Sequence, residues 1–158
     1  MRYIPNQHSW FGFCTSGGFT GTPSAPKAAD LATAVVLTPL ITGVTAATTG
    51  QAVPTPAFDS LFETSISGTV QANFQIDGYR DDVGASDLLW TTLPRGTNGF
   101  VVISLKTGSA VPLVGDKVDV WPIQVLSRTI PNLTSGQVVA CQITASVPQV
   151  PGENVALV

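Results

Sequence analysis

The chain has 158 residues, which is the size of a single domain. Its 7 basic and 10 acidic residues give a formal net charge of −3, and charged residues make up only 11% of the chain. This composition, with 44% apolar residues, excludes a disordered chain and a nucleic-acid binder that grips phosphates with many basic groups. Two cysteines are too few for a disulfide scaffold of this length.

The scarcity of charge indicates a subunit whose surface is covered by neighbours. A soluble monomer normally surrounds itself with charged side chains, whereas this chain is rich in threonine, serine, glutamine and glycine. A threonine-rich secreted β-domain is the alternative interpretation. The first residues do not form the apolar run of a signal peptide, so we expect a cytosolic chain with Cys14 and Cys141 reduced.

The first thirty residues are predicted to form an arm. Glycine and proline interrupt residues 1–24, which precludes a long element there. A short helix is predicted next, with Ser24 as its cap and Pro26 in its first turn. Because the arm carries four aromatic side chains, we expect it to dock on the chain's own core or on a neighbour. These side chains belong to Trp10, Phe11, Phe13 and Phe19.

Residues 31–58 contain no charged side chain, but they are not predicted to span a membrane. Proline and glycine recur through the segment, whereas a spanning helix needs about 20 predominantly apolar residues. A strand is predicted to start at Val35. Residues 43–58 are interpreted as an extended loop or a flexible hairpin, because Gly50, Pro54 and Pro56 punctuate them.

The clearest pattern lies between residues 62 and 77, where apolar and polar side chains alternate strictly. Period-two alternation predicts a long strand with one apolar and one polar face. A bulge is predicted at residues 67–69, and it is expected to leave the alternation intact. The predicted polar face consists of Glu63, Ser65, Ser67, Thr69, Gln71, Asn73, Gln75 and Asp77.

The second half of the chain is predicted to hold one helix and three strands. The helix spans about residues 86–93, with Ser86 as its cap. Residues 100–105 form an apolar run suited to a strand buried on both sides. Residues 118–125 form a strand whose phase slips at Trp121 and Pro122, and residues 139–147 form the last strand. Residues 148–158 are interpreted as a tail.

Together these elements predict one mainly β domain over residues 1–158, a β-sandwich or open barrel with one flanking helix. No residue pattern indicates catalysis, a cofactor or a metal. His8 is the only histidine and has no partner ligands nearby in the sequence. Asp77, Asp81 and Asp82 do not match the spacing of a calcium loop. We therefore expect no enzyme.

Several stretches resemble major tail tube proteins of long-tailed bacteriophages, most closely those of actinobacterial phages. The best match is residues 93–103, LPRGTNGFVVI, followed by residues 115–122, GDKVDVWP. The other matching stretches are residues 2–5, 25–31, 37–38, 41–43, 62–69 and 79–82. Their order and spacing carry the resemblance, which covers most of the chain.

The resemblance implies a β-sandwich whose copies form rings, usually hexameric, with one continuous inner barrel. Rings stack into a tube in the virion tail, which assembles in the host cytoplasm and lets double-stranded DNA through without specific binding. Tape-measure and tail terminator proteins are the implied partners, and no membrane is involved. We expect the predicted polar face to line the bore, because it contains no lysine or arginine. Contacts between subunits are predicted at Trp10, Phe11, Phe13, Phe19, Val53 and Phe58.

Two other interpretations remain open from the residues alone. One is a different phage structural protein: a tail terminator, a head–tail connector or a capsid decoration protein. The other is a secreted carbohydrate-binding domain with a platform built from Trp10, Trp90 and Trp121. Burial of these rings in the core is the expected alternative to a sugar platform.

Overall fold

The computed structural model describes residues 9–55, 64–81, 86–105 and 110–158. Its described strands pair antiparallel in the order β2-β1-β5-β6-β7-β4-β3, and β8 also pairs with β6. The elements are β1 Trp10–Thr15, α1 Ala28–Leu31, β2 Val35–Val36, β3 Ile41–Thr55, β4 Thr64–Tyr79, α2 Leu88–Thr92, β5 Asn98–Ser104, β6 Lys117–Thr129, β7 Ala140–Ser146 and β8 Gly152–Ala156. Neither described helix is long and apolar enough to cross a membrane.

Strand β6 joins the two layers of the fold. Its first half pairs with β5 and β8, and its second half pairs with β7. The predicted phase slip at Trp121 and Pro122 is wrong, because β5 pairs with β6 without a break from Asp119 to Gln124. Val120 and Ile123, three positions apart, therefore face different hydrophobic clusters, as regular alternation requires. We call β2, β1, β5, β8 and the first half of β6 the rear layer. The front layer is the second half of β6 with β7, β4 and β3.

The main core lies between these layers. Phe74 of the front layer packs against Trp121 of the rear part of β6, with ring centroids 5.6 Å apart. A second cluster covers the other side of the rear layer, where Phe19 stacks on Phe100 at 4.3 Å. Strand β5 is therefore covered on both faces, as its apolar run predicts: Val101 faces one cluster and Val102 the other, and both are fully buried.

The prediction of an irregular amino-terminal arm is wrong for residues 10–15, which form β1 in the interior of the rear layer. Packing requires glycine at position 12 of this strand, because a Cβ on Gly12 would collide with the indole ring of Trp10. The predicted carboxy-terminal tail also forms a strand, β8, which pairs with β6. Leu157, just beyond β8, is buried in the second cluster.

Both helices begin later than the sequence patterns predict. Helix α1 is preceded by Lys27 at its N-cap, not by Ser24, and helix α2 by Asp87, not by Ser86. Neither N-cap side chain bonds to its own helix. The Asp87 carboxylate instead accepts hydrogen bonds from Arg80. An ion pair to the sheet therefore replaces a helix cap at this position.

The interpretation of residues 43–58 as a loop is wrong for residues 43–55, which belong to the long strand β3. The alternative hairpin interpretation fits, since β3 pairs with β4 from Ile41 and Gly78 to Thr55 and Thr64. Residues 56–58 lie outside the described residues. Strand β4 is confirmed as one long strand over Thr64–Tyr79.

Candidate functional site

The front layer presents a broad polar face on the side away from the main core. Residues directly opposite each other in antiparallel strands point to the same side of a sheet, so the pairing register identifies the members of this face. Asn73 lies opposite Ala47 and Ser146, and Gln75 lies opposite Thr45 and Thr144. The polar face consists of Thr45, Ala47, Thr49, Gln71, Asn73, Gln75, Asp77, Gln124, Ser127, Thr129, Gln142, Thr144 and Ser146.

Asp77 is the one charged residue on the polar face, and it is held by amides. Gln75 donates to its carboxylate at 3.1 Å, and Gln142 of the neighbouring strand donates at 3.0 Å. These bonds join β4 to β7 through side chains as well as backbone. The face therefore offers hydroxyl and amide groups with one half-buried carboxylate, and it carries no lysine or arginine.

A bulge divides the hairpin at the predicted position. Between Gly50 and Ala52, β3 has one residue, whereas β4 has two, Gly68 and Thr69, between Ser67 and Val70. The expectation that the alternation survives the bulge is wrong, because one extra residue exchanges the two faces of a strand. As a result, residues 65–67 of β4 each face the side opposite to the one that the alternation predicts.

Ser65 and Ser67 therefore do not share a face with the rest of the predicted polar set. Ser67 lies opposite Ala52, which shares a side of β3 with Val44, and Val44 packs against the main core. On the other side, Val53 and Ile66 lie opposite each other and share the side of the polar face. Thr69 belongs to the bulge itself, and Glu63 lies outside the described residues. Gln71, Asn73, Gln75 and Asp77 are brought together as predicted.

Two edges of the front layer are open. Strand β3 ends the sheet, so no described strand pairs with its outer side. On the opposite side, Gly96 and Thr97 just before β5 still bond to the backbone of Val125, while β7 continues along β6 to Thr129. Strand β3 is 15 residues long and has no charged side chain. Long uncharged edge strands are templates for pairing with another chain.

Helix α2 covers the core behind the front layer and holds the nearby basic groups there. The Trp90 ring lies between two guanidinium groups, with Arg80 at 4.4 Å and Arg128 at 4.2 Å from its centroid. Arg80 also pairs with the buried Asp87 at 2.7 Å, and Arg128 donates to the Trp90 carbonyl at 2.8 Å. Both guanidinium groups are thus engaged at α2, and Arg128 lies on the opposite side of β6 from the polar face.

Most of the aromatic residues predicted at subunit contacts belong to the chain's own cores. Trp10 and Phe13 are each 1% exposed, and Phe19 is also buried. Phe11 is partly buried and packs against the main core. Trp10, Phe13 and Phe19 therefore stabilise this chain from within, whereas a subunit contact at the half-buried Phe11 stays a prediction. Val53 is 46% exposed and stays a candidate, whereas Phe58 lies outside the described residues.

The described residues show no chemical centre. No group of histidine, cysteine and carboxylate side chains among them is arranged to hold a metal ion. Burial raises the pKa of the Cys14 thiol to about 11, and the nearby Asp30 carboxylate adds to this rise. Burial also raises the pKa of Cys141. Thiols that stay protonated are poor nucleophiles.

The three tryptophans do not form an exposed platform. Trp10 and Trp121 are buried, and the guanidinium groups of Arg80 and Arg128 both pack on the Trp90 ring. The expected core burial is confirmed for Trp121, whereas Trp90 is half-buried. The carbohydrate-binding interpretation therefore loses the rings on which it depended.

Comparison with known proteins identifies the family. A family model described as phage tail tube protein matches residues 6–158. The chain belongs to this family. It is accordingly a structural protein of the virion tail, not an enzyme. No curated protein matches the chain.

Solved structures give matching folds at low sequence identity. A chain from the baseplate of the anti-feeding prophage is 10% identical, with a TM-score of 0.51, and the match covers 96% of this chain and 95% of that one. A chain from the virion of a native gene transfer agent particle is 8% identical, with a TM-score of 0.48, covering 72% of this chain and 83% of that one. The predicted mainly β tail-tube fold is confirmed.

Sequence reasoning missed the half of the polar face that comes from β6 and β7. Gln142, Thr144 and Ser146 do alternate with buried residues, so their outward direction was readable. The position of these residues beside β4 could not be predicted, because strand order depends on long-range pairing. The bulge signal at Gly68 was present as well, but its effect on the faces became clear only from the register.

Proposed function

We propose that the chain forms closed, hexameric rings that stack into the tail tube, with the polar face lining a bore for the viral genome. The observation that carries this proposal is the composition of that face. It spans four strands and offers hydroxyls, amides and one carboxylate, but no basic group. DNA affinity comes mainly from basic groups that neutralise phosphates, so such a wall lets a duplex slide.

The open edges supply a way to close the ring. The outer edge of β3 of one copy pairs with residues 126–129 of β6 of the next, beyond the last contacts of β5 and the segment before it. Each copy then contributes four strands, and repetition of this heterologous contact produces a barrel without free edges. Ring closure also explains why β3 has no charged residue to protect its edge.

The bore assignment is tested by placing lysine on the polar face. Asn73→Lys repeats a positive charge around every ring, and we expect virions carrying it to eject DNA more slowly by about tenfold, with the delay relieved by salt. Gln137→Lys is the matched control, because Gln137 lies in an exposed turn outside the polar face. Ejection kinetics that are the same in both variants would show that Asn73 does not face the genome.

Electron microscopy of the purified chain tests assembly itself. We expect tubes, since both edges needed for ring closure belong to the same chain. A tail terminator would form single rings only, and a connector or decoration protein would form no tube. Tape-measure and terminator proteins are the partners that we propose inside and at the end of the tube, with assembly in the host cytoplasm.

A further inference from the structure

The outer half of the hairpin lacks support from its own chain. Strand β4 pairs with β7 only over Asn73–Tyr79, so residues 64–72 have β3 on one side and no described strand on the other. Val70 is 63% exposed although it continues the apolar row of the buried Phe74. A two-stranded hairpin alone is marginally stable in water, so this ribbon needs a further surface.

An apolar groove lies where the hairpin separates from the body. Its volume is about 570 Å³. On one side are Val70 and Ala72 of β4, and on the other is the segment between β7 and β8, with Val147, Val150 and Pro151. Glu153 is the one charged residue in its lining. The groove therefore suits an uncharged apolar group rather than a polar ligand.

A matching apolar group lies near the tip of the same hairpin. Val53 and Ile66 form a cross-strand pair and are 46% and 59% exposed. Because of the bulge, this pair lies on the opposite face of the hairpin from Val70 and Ala72. The pair therefore points away from the groove of its own chain, so a pair that enters this groove has to come from another copy of the chain.

We propose that the Val53–Ile66 pair of one copy seats in this groove of a second copy. The inference rests on the proposed function and identifies a contact between successive subunits of the tube. The Val53–Ile66 pair and the groove are different surfaces of one chain, so the contact between copies is heterologous. Such a contact can repeat without closing, as a growing stack of rings requires. The absence of charge on the described part of the hairpin beyond Asp77 favours a second copy of this charge-poor chain as the occupant.

The first test places a carboxylate in each half of the contact. Ile66→Asp and Val70→Asp should each lower the pelletable fraction of the protein by about tenfold, because a buried carboxylate is costly. Gln71→Asp is the matched control, since Gln71 neighbours Val70 but lies on the polar face, and it should change assembly by less than about twofold. Circular dichroism of the soluble variants should show intact folding, because these side chains are exposed in the monomer.

The second test joins the two surfaces covalently. In tubes, Ile66→Cys combined with Val150→Cys should give a ladder of disulfide-linked multimers on mild oxidation, because Val150 is 86% exposed beside the groove. Each single variant should give no ladder beyond dimer, and the native thiols are buried. Tubes that form normally with Ile66→Asp, or tubes of the double variant without a ladder, would overturn the contact but leave the tube function intact. A wild-type chain that forms no tubes would overturn both.

Discussion

The rear layer and the hairpin use the same kinds of residue for different purposes. In the rear layer, β5 has a hydrophobic cluster on each side, and Val101 and Val102 are both fully buried. In the outer half of the hairpin, Val53, Ile66 and Val70 are exposed. Valine and isoleucine thus stabilise the monomer in one region and stay exposed in the other, where we propose that they contact other copies. Hydrophobic residues need not all serve the fold of their own chain.

The largest contrast is expected from one substitution made in both regions. Val101→Asp places a carboxylate between the layers and should destabilise the chain by at least ~4 kcal/mol, which leaves it unfolded. Val70→Asp should change the free energy of unfolding by less than about 0.5 kcal/mol, because Val70 is 63% exposed. Urea unfolding of the monomers measures both. Equal losses would mean that the hairpin belongs to the cooperative core.

A smaller effect is expected where the hairpin enters the body. A Cβ on Gly78 would collide with the Leu89 side chain and lie 2.6 Å from the Leu40 carbonyl oxygen. Gly78→Ala should therefore cost about 2 kcal/mol, because helix α2 has to move away from β4. Gly50→Ala, in the outer hairpin, meets no atom within 4 Å and should be close to neutral. Thermal unfolding compares them, and similar melting temperatures would contradict the tight packing of α2 on β4.

An effect of similar size, but confined to alkaline pH, is expected from the buried thiol of the rear layer. Since burial raises the pKa of Cys14 from 9.0 to about 11, the unfolded chain ionises first as the pH rises. This contribution to stability is complete below pH 9 and is lost by about pH 11, amounting to about 2 kcal/mol.

The comparison with Cys14→Ala isolates this effect from other groups that titrate in alkali. The stability difference between the two proteins should shrink between pH 9 and pH 11. A difference that stays constant over that range would show that the thiol is not desolvated. The exposed hairpin should give no such signal, because it contains no cysteine.

The sequence predicted the individual strands better than it predicted which strands pair with each other. Alternation identified β4 and β7, because side-chain period is a local property. The phase slip predicted at Trp121 and Pro122 was wrong, because Val118 and Val120 face one cluster and Ile123 and Val125 the other, which a single face cannot explain. Strand β3 was missed since its glycines and prolines favour a loop, whereas pairing with β4 holds it extended. Strand β1 was missed for a similar reason: Gly12 discourages a strand until the Trp10 ring covers it.

The candidate site was predictable only within one strand. Gln71 to Asp77 follow from alternation, but the contributions of β6 and β7 depend on strand order, which local patterns do not contain. The side of the sheet that Ser65 and Ser67 face depends on a single extra residue in β4. Residues 65–67 are all exposed, so neither side of the strand has to be apolar there, and the sequence does not reveal the reversal.

The placement of Arg128 has a consequence for which changes the tube can tolerate. Its guanidinium packs on Trp90, while Ser127 and Thr129 on either side of it point the other way. In the proposed tube, replacing either neighbour would alter the channel wall only slightly. Deleting or inserting one residue in this part of β6 would instead turn the positive charge of Arg128 toward the proposed path of the genome at every ring, so we expect strand length here to be constrained more tightly than residue identity.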